Sequence, residues 1–475
     1  MNFSMLISFG IYVLFLLIIG YRASRGRRAS TDLVLGERSV NWWVTAISAQ
    51  AADMSSWLFM GLPAAIYLHG AIDIWVAVGL IVGMWASWHF LAAPIRRETE
   101  QYHASTLPSY FENKYHESAG RISAVSAGIM AFFFTLYIAA GIKGVGYILE
   151  GTFGLSRFWG GIMTVVVTLI YTLMGGFVAA AWVDFFQGIF LLGAILLTTI
   201  VAYAHVGGYS AIMSAVQSHH LPLSFSLSLK TILAIIAGPV AWGLGYFGMP
   251  HILSKFMGAD NPEQLYKSKY VGIIWQSVAL SAAIMCGFIG LAYFSQPLAS
   301  PEKTLFITMA IELFPATVAG LIICGILSAT LSTMNAQMLV LAGIVSQDLF
   351  HKLYAPHATR NELKQVFRAV IIAVAVVAFL IAWFDSGTIF DLVEFAWGGL
   401  GASFGPLTIL ALYNAPVTKE GALAGIIAGG VTSLCWNMMH YEPYGIHVND
   451  VVPGFIVGAL VILVISRIYI KRQKQ

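Results

Sequence analysis

Apolar stretches about as long as a membrane-crossing helix recur along this chain, separated by short polar joints. A helix needs about 20 mostly apolar residues to cross the hydrocarbon core of a bilayer. Thirteen windows meet this criterion: 3–21, 42–69, 72–94, 120–149, 157–174, 178–203, 230–252, 271–294, 317–347, 366–384, 389–413, 419–438 and 451–470. Only 10% of the residues are charged and the mean hydropathy is +0.80, which excludes a water-soluble globule. The sequence predicts an all-α polytopic membrane protein with 13 transmembrane helices, the first a retained span.

The basic residues predict the orientation of these spans. Of the 25 Lys and Arg residues, 21 follow odd-numbered spans or lie in the C-terminal tail, and only Arg157, Lys230 and Lys303 lie on the opposite side. Because cytoplasmic loops are rich in Lys and Arg, the N-terminus is expected outside and the C-terminus in the cytoplasm. The expected location is the plasma membrane, the inner membrane of a bacterium. The net charge of +3 reflects this bias, and neither a nucleic acid nor an obligate protein partner is indicated.

One carboxylate, Asp53, lies within the apolar stretch "AADMSSWLFMGLP" at 51–63. A charged side chain at membrane depth costs at least ~2.5–3.5 kcal/mol and usually faces a cavity or a partner. Gly61 and Pro63 weaken a helix, while small hydroxyls such as Ser55 can satisfy freed backbone groups. This pattern predicts an unwound segment whose carbonyls coordinate a small cation and whose half-helix ends hold a solute. The alternative is a kinked helix with Asp53 hydrogen-bonded to a hydroxyl.

A second interrupted stretch, "WGLGYFGMPH" at 242–251, occurs five spans later. Paired interruptions in corresponding spans are typical of transporters built from inverted repeats. We therefore predict a LeuT-type inverted repeat of 5+5 helices, spans 2–6 and 7–11, with broken helices in spans 2 and 7. We predict a single transporter domain, 1–475. Residues 1–40 hold span 1 and a basic loop, and 41–204 form the first repeat. Residues 205–414 form the second repeat, and 415–475 hold spans 12 and 13 with the tail.

A third stretch, "SATLSTMNAQ" at 328–337, places Ala329, Ser332 and Thr333 on one helix face. Hydroxyls and an exposed carbonyl are hard oxygen ligands that suit an alkali cation, although Ser and Thr also pack membrane helices. The three cysteines stand alone in apolar segments, and there is no His or Cys cluster and no pair of carboxylates at membrane depth. An enzyme is therefore not expected.

Six motifs in order resemble the sodium/solute symporter family, most closely its sodium/proline symporters. They are "SAQAADMSSWLFMGLPAA", "FFTLYIAAGI", "AWVDFFQG", "WGLGYFGMPHILSKFM", "GILSATLSTMNAQ" and "AWGGLGASFGP". The resemblance extends from about Phe9 to span 13. Two motif positions differ from the relatives: Met249 stands where they have Gln, and Ser56 where they have Gly.

The resemblance implies a set of site residues. One Na⁺, the co-transported ion, would be held by carbonyls in span 2 and by a carbonyl and two hydroxyls in span 9. Asp53 matches an acid required for sodium-dependent transport, and Arg38 and Asp184 match other polar positions that are important in relatives. Arg38 has the alternative role of an ordinary anchor at the inner face. The implied sodium ligands are Ala51, Met54, Ala329, Ser332 and Thr333, and the implied solute positions are Ser55, Trp57, Gly61, Tyr137, Trp242, Tyr246 and Pro250.

The predicted function is sodium-coupled import of a small amino acid, L-proline, by alternating access, with one sodium per solute. Aromatic faces suit an apolar ring and a cationic amine, and unwound backbone N–H groups suit a carboxylate. The alternatives are another small carboxylate or sugar-like solute, such as pantothenate, a monocarboxylate or sialic acid, or a solute-sensing receptor. Lys143 within span 4 is expected to snorkel outward or to pair with an acid, and Glu150 lies on nearly the same side of the helix as Lys143. Alternatively, Lys143 is a fixed charge that selects an anionic solute.

Overall fold

The structure is a computed structural model, and it describes residues 3–25, 32–219, 221, 228–384, 387–439 and 443–473. Within these ranges the fold is all-α, and the only strand-like pairing is an isolated bridge between Val40 and Ala259. Eighteen α-helices are present in the described residues: α1 Phe3–Arg25, α2 Trp42–Asp53, α3 Gly61–His69, α4 Ile74–Ala86, α5 Ala93–Gln101, α6 Leu107–Lys114, α7 Arg121–Phe153, α8 Arg157–His205, α9 Tyr209–Ser218, α10 Leu229–Ala237, α11 Pro250–Met257, α12 Leu265–Tyr293, α13 Pro301–Leu313, α14 Ala316–Gly343, α15 Arg360–Phe384, α16 Ile389–Leu412, α17 Lys419–Met439 and α18 Val451–Gln473.

Shorter helical turns join several of these helices. Two have π geometry, Ser87–Ala92 between α4 and α5 and Ile344–Tyr354 after α14. The others are 3₁₀ helices, at Gly36–Arg38, Ser56–Leu58, Gly70–Asp73, Pro239–Phe247, Pro262–Gln264 and Pro443–Gly445.

The described residues contain 11 helical stretches long and apolar enough to cross a membrane, rather than the predicted 13. The difference arises in two places. The stretch Ser56–Gln101 joins the second part of predicted span 2 to predicted span 3, and Arg157–Ile170 is apolar but too short to qualify. Predicted spans 5 and 6 belong to one element, α8, in which Gly176 has non-helical dihedrals of φ 60° and ψ −163°. Glycine tolerates this left-handed φ without a Cβ clash.

The first broken helix lies between α2 and α3, as the sequence predicts. The helix ends at Asp53, and Met54 and Ser55 have extended backbone before the 3₁₀ turn Ser56–Leu58. The second half-helix then begins at Gly61, so Gly61 and Pro63 start α3 rather than interrupt it. Pro63 is tolerated there because the first turn of a helix has no internal acceptor for its missing N–H.

The second broken helix lies between α10 and α11. The chain leaves α10 at Gly238, continues as the 3₁₀ helix Pro239–Phe247, and becomes extended at Met249. Pro250 then begins α11. The unwound region is therefore longer than the predicted 242–251, since it starts at Gly238.

Burial divides the helices into a core and a periphery. In the most apolar window of the α14 stretch and of α16, 83% of the residues are buried, against 28% in α1, α15 and α18. Helix α14 packs against α8, α7, α1 and α2, which places it beside the first break. Helix α4 packs on the 3₁₀ helix 239–247, where a Cβ on Gly83 would lie 2.3 Å from the carbonyl oxygen of Gly243. Small residues at such crossings let backbones approach closely.

Candidate functional site

Asp53 is the centre of the site, at the point where α2 ends. Its side chain is buried, and its Oδ2 accepts a hydrogen bond of 2.6 Å from the hydroxyl of Tyr246. The Tyr246 hydroxyl in turn accepts a bond of 2.9 Å from the amide of Gln276 on α12. The helix is broken rather than kinked, yet the acid is also hydrogen-bonded to a hydroxyl, so features of both sequence interpretations occur together. One side-chain bond thus joins the two broken helices.

Four of the five residues matched to sodium ligands are in direct contact. The hydroxyl of Ser332 on α14 donates to the carbonyl of Ala51 at 2.6 Å and to the carbonyl of Ala329 at 3.0 Å. The hydroxyl of Thr333 donates to Ala329 at 3.1 Å. Met54 is fully buried just beyond the end of α2, where its extended backbone takes its carbonyl out of the helical ladder. Buried carbonyl and hydroxyl oxygens are the donor set that an alkali cation prefers.

No cluster of three or more His, Cys, Asp or Glu residues able to hold a metal ion occurs in the described part of the chain. The donor set around Ala51 and Ser332 is therefore neutral, with Asp53 two residues away along α2. A neutral set of hard oxygens fits a weakly held monovalent ion better than a transition metal.

Aromatic rings line the junction of the two breaks. Trp57 lies 6.1 Å from Trp242, and Trp242 lies 5.1 Å from Phe390, as measured between ring centroids. Tyr246 packs edge-to-face on Trp397 at 5.0 Å, and the indole N–H of Trp397 donates to the Trp242 carbonyl at 2.8 Å. These rings form an apolar wall beside the Asp53–Tyr246 bond, which suits a small solute with an apolar body.

Two glycines allow this wall to form. A Cβ on Gly245 would lie 2.0 Å from Nε1 of Trp397, so any larger residue would displace that ring. A Cβ on Gly61 would meet Trp57 at 3.3 Å and Phe390 at 3.5 Å, which is a tight contact without a severe clash. The requirement for glycine is therefore strict at the second break and mild at the first.

The remaining matched solute positions are Tyr137, Ser55 and Pro250, which belong to three different segments. Tyr137 on α7 is buried within the electrostatic reach of Asp53, and its ring packs edge-on to His251 at 6.4 Å. His251 directly follows Pro250, the first residue of α11. The Ser55 hydroxyl caps the next 3₁₀ turn, accepting the N–H two residues on at 3.5 Å. Helix α7 thus brings a third element to the two breaks.

Comparison with known proteins shows the family of this chain. The family model described as the sodium:solute symporter family matches residues 33–429. The chain belongs to this family. It is 36% identical over 473 residues to the sodium/proline symporter of Salmonella typhimurium, covering 97% of this chain and 92% of the relative. It is also 36% identical to the high-affinity proline transporter PutP of Bacillus subtilis, covering 95% of each chain.

Solved structures show the same fold. A Na⁺-coupled sialic acid symporter in a substrate-bound outward-open state has a TM-score of 0.80 at 18% identity, with 98% of both chains covered. The nucleobase-cation-symport-1 transporter Mhp1 in a closed conformation has a TM-score of 0.55 at 15% identity, covering 94% of this chain and 95% of Mhp1. The architecture of this sodium symporter is therefore that of a known class of secondary transporters.

Asp184 of this symporter has a partner that the sequence did not indicate. Its Oδ2 accepts a bond of 2.6 Å from Nζ of Lys255, and both side chains are buried. Lys255 follows predicted span 7, 230–252, and is among the 21 basic residues counted for the orientation, but α11 continues to Met257 and its Lys255 is buried. An unpaired charge there would be costly, so each of the two charges requires the other.

Arg38 connects three segments near the same end of the molecule. Its guanidinium donates to the carbonyls of Met257 at 2.7 Å, Ala104 at 2.7 Å and Thr99 at 3.0 Å. Burial, reinforced by the neighbouring charge of Arg96, lowers the pKa of Arg38 to about 10, so the group stays charged at neutral pH. Its link to Met257 ties it to the second broken helix, at the end of α11.

The ammonium group of Lys143 is not free to face the aromatic wall. Its side chain is buried, and Nζ donates to the carbonyl of Gly387 just before α16. The carboxylate of Glu302 interacts electrostatically with Lys143 and accepts the N–H of Ile389 at 3.0 Å. Burial raises the pKa of Glu302, and these N–H and ammonium contacts oppose the shift. Glu150 lies 3.9 Å from Arg157, and Glu302 is the acid whose pKa the charge of Lys143 lowers.

Sequence reasoning missed four residues of this centre: Gln276, Lys255, Trp397 and Phe390. Gln276 had a visible signal, because it is a lone amide within the apolar span of α12. Lys255 lies within the quoted motif "WGLGYFGMPHILSKFM", just beyond the end of predicted span 7 at residue 252. The two aromatic residues carry no such signal, since aromatics in membrane helices are usually packing residues.

Proposed function

We propose that this symporter imports L-proline together with Na⁺ across a bacterial inner membrane by alternating access. The observation that carries the proposal is the Tyr246–Asp53 hydrogen bond of 2.6 Å. It connects the aromatic wall on the second break to the end of α2, two residues beyond the Ala51 carbonyl that contacts Ser332. Ion and solute are thus held by adjacent parts of one connected structure.

The coupling follows from this arrangement. Sodium at Ala51, Met54, Ala329, Ser332 and Thr333 would order the end of α2 and so fix the position of Asp53. An ordered Asp53 orients Tyr246, which raises the affinity of the site for the solute. By linkage, the solute raises the affinity for the ion by the same factor. Each sodium that moves down the membrane potential contributes ~2.3 kcal/mol per 100 mV, before its concentration gradient is counted.

The chemistry of the wall supports proline as the solute. The rings of Trp57, Trp242 and Tyr246 offer faces for a saturated ring and for a secondary ammonium group. The N–H groups freed where α3 and α11 begin offer donors to a carboxylate. The Lys143 ammonium group donates to the Gly387 carbonyl, which favours a zwitterion over an anionic solute at this site. The curated relatives that match nearly the whole chain carry proline in their names.

The membrane arrangement that goes with this proposal has 13 spans. The two halves of α8 on either side of Gly176 count separately, and α2 with α3 forms one broken span. Residues 41–204 and 205–414 then form the two inverted repeats of five helices, with 1–40 and 415–475 as additions. The N-terminus is outside and the C-terminus cytoplasmic, because the basic residues concentrate on the side of Arg38 and Arg96.

The direct test is uptake of radiolabelled L-proline into proteoliposomes under an inward sodium gradient, with a potassium gradient as the control. We expect sodium-dependent accumulation that Asp53→Ala reduces at least about 100-fold, because a buried charged hydrogen bond is removed where ion and solute meet. The matched control is Asp260→Asn, an exposed acid that should leave uptake within about 2-fold. Sodium-dependent uptake of another solute, without proline uptake, would keep the ion site and refute proline.

A further inference from the structure

We infer that a second polar site for the solute, formed by Gln50, Trp88 and Gln276, lies between Asp53 and the surface that carries Arg38 and Arg96. We call these three residues the inner polar site. The inference rests on the proposed function and deepens it, because it assigns residues to the release of the solute. None of the three is among the matched ion or solute positions.

Two of the three side chains meet at one glycine. A Cβ on Gly272 of α12 would lie 2.8 Å from Nε2 of Gln50 and 3.2 Å from Nε1 of Trp88. These two nitrogens are therefore within roughly 6 Å of each other, near enough to share one small ligand. Gln276 lies one turn further along the same face of α12. Glycine at position 272 thus lets the polar ends of Gln50 and Trp88 approach α12 closely, one turn from Gln276.

The inner polar site adjoins the central site. Gln50 precedes Asp53 by three residues, so the two side chains share a face of α2, with Gln50 towards the Arg38 end. Trp88 belongs to the π-helical turn 87–92, a geometry that is frequent at functional sites. Gln276 donates to the Tyr246 hydroxyl that binds Asp53. Gln276 therefore belongs to both sites and connects them.

Four polar atoms of the inner polar site have no hydrogen-bond partner among the described residues. This holds for both amide atoms of Gln50, for the indole N–H of Trp88 and for Oε1 of Gln276. The three side chains are 0%, 3% and 0% exposed. Buried polar groups are nearly always paired, because an unpaired one carries its full desolvation cost. Several unpaired groups around one point indicate a ligand that binds during the transport cycle.

The chemistry of these atoms selects a zwitterion rather than the ion. Trp88 can only donate, and the Gln50 amide offers a further donor, which together suit a carboxylate. Oε1 of Gln50 and Oε1 of Gln276 accept, which suits an ammonium group. Sodium needs oxygen donors alone, and the Trp88 N–H would repel it. An amino acid that leaves Tyr246 towards the Arg38 surface therefore meets a second set of complementary partners.

The test compares two buried tryptophans, one with an unpaired indole N–H and one with a paired indole N–H. Trp88→Phe removes the unpaired N–H and keeps a ring against Phe256, whose centroid lies 4.3 Å away. Trp275→Phe is the matched control, because that N–H is already bonded to the Gly188 carbonyl at 3.2 Å, away from the inner polar site. The KM for L-proline is measured on each membrane face, in right-side-out and inside-out vesicles. Thermal stability of the purified variants checks their folding.

We expect Trp88→Phe to raise the KM on the Arg38 face about 10-fold, with the opposite face changed by less than about 2-fold. Gln50→Leu should do the same, and Trp275→Phe should leave both faces within about 2-fold. No change in Trp88→Phe, or an equal change on both faces, would overturn the inner polar site while wild-type proline uptake persists. A wild-type protein without sodium-dependent proline uptake would overturn the proposed function itself, and the inference with it.

Discussion

The two broken helices differ in chemistry as well as in position. The break between α2 and α3 is short and polar, with Asp53 and two serines before the second half-helix begins. The break between α10 and α11 is longer, runs through nine residues of 3₁₀ helix and is built from glycines and aromatic rings. Oxygen donors suit an ion, and aromatic faces suit an organic solute. Under the proposed function, the composition of the first break therefore favours the ion and that of the second favours the organic solute.

One hydroxyl connects these different halves. Tyr246 belongs to the aromatic break and donates to Asp53 in the polar break. A transporter with two independent sites would bind ion and solute without coupling them. Under the proposed function, coupling is therefore expected at the contact between the breaks, and the following substitutions test it.

The largest effect is expected from Tyr246→Phe, which keeps the ring and removes the hydroxyl. Asp53 then loses a buried donor worth about 1.5–3 kcal/mol, so proline uptake should fall about 10- to 100-fold. The sodium concentration for half-maximal uptake should rise as well, because the contact between the breaks is lost. The measurement is sodium-dependent uptake in proteoliposomes. A loss of proline affinity with unchanged sodium dependence would refute coupling through this hydroxyl.

Gly245→Ala should damage the second break alone. The added Cβ would lie 2.0 Å from Trp397 Nε1, and such overpacking costs about 1–3 kcal/mol. We expect a lower thermal stability and weaker proline binding, measured on purified protein by melting and by scintillation proximity. Adding Trp397→Phe should restore part of both losses, since it removes the nearest clashing atom. Equal damage with and without that second change would contradict this packing.

Ser332→Ala should act on the ion side alone. Removing one hydroxyl ligand is worth about 1 kcal/mol, so the sodium requirement should rise about 5- to 10-fold. At saturating sodium, proline affinity should recover to within about 2-fold of the wild type. Thr408→Ala is the control, because that buried hydroxyl bonds only its own helix, at the Phe404 carbonyl. A proline affinity that stays low at high sodium would argue against Ser332 as an ion ligand.

The smallest effect is expected from Gly61→Ala at the first break. The new Cβ would meet Trp57 and Phe390 at 3.3 and 3.5 Å, and φ at this position needs no glycine. Stability should change by less than about 0.5 kcal/mol, and proline uptake by less than about 3-fold. Melting temperature and uptake rate check this. A loss as large as that of Gly245→Ala would show that the breaks do not differ in the way described.

Local rules account for what was predictable at this site. Glycine and proline restrict the backbone wherever they occur, so both breaks were readable near Gly61 and Pro250. The i, i+3, i+4 spacing of Ala329, Ser332 and Thr333 holds for any helix, and their contacts follow from it. The limits of the second break were less readable, because the 3₁₀ helix after Gly238 is held by packing against α4.

The sequence by itself determined the class of the protein and the positions of the breaks. It also determined the number of apolar stretches, except where the chain continues as helix through residues 56–101 and around Gly176. These depend on hydrophobic length and backbone sterics, which are properties of short segments. Only the tertiary structure decided the pairs: Asp53 with Tyr246, Asp184 with Lys255, and Lys143 with Gly387. A charge buried in a membrane must find a partner, but which partner it finds depends on how distant helices pack.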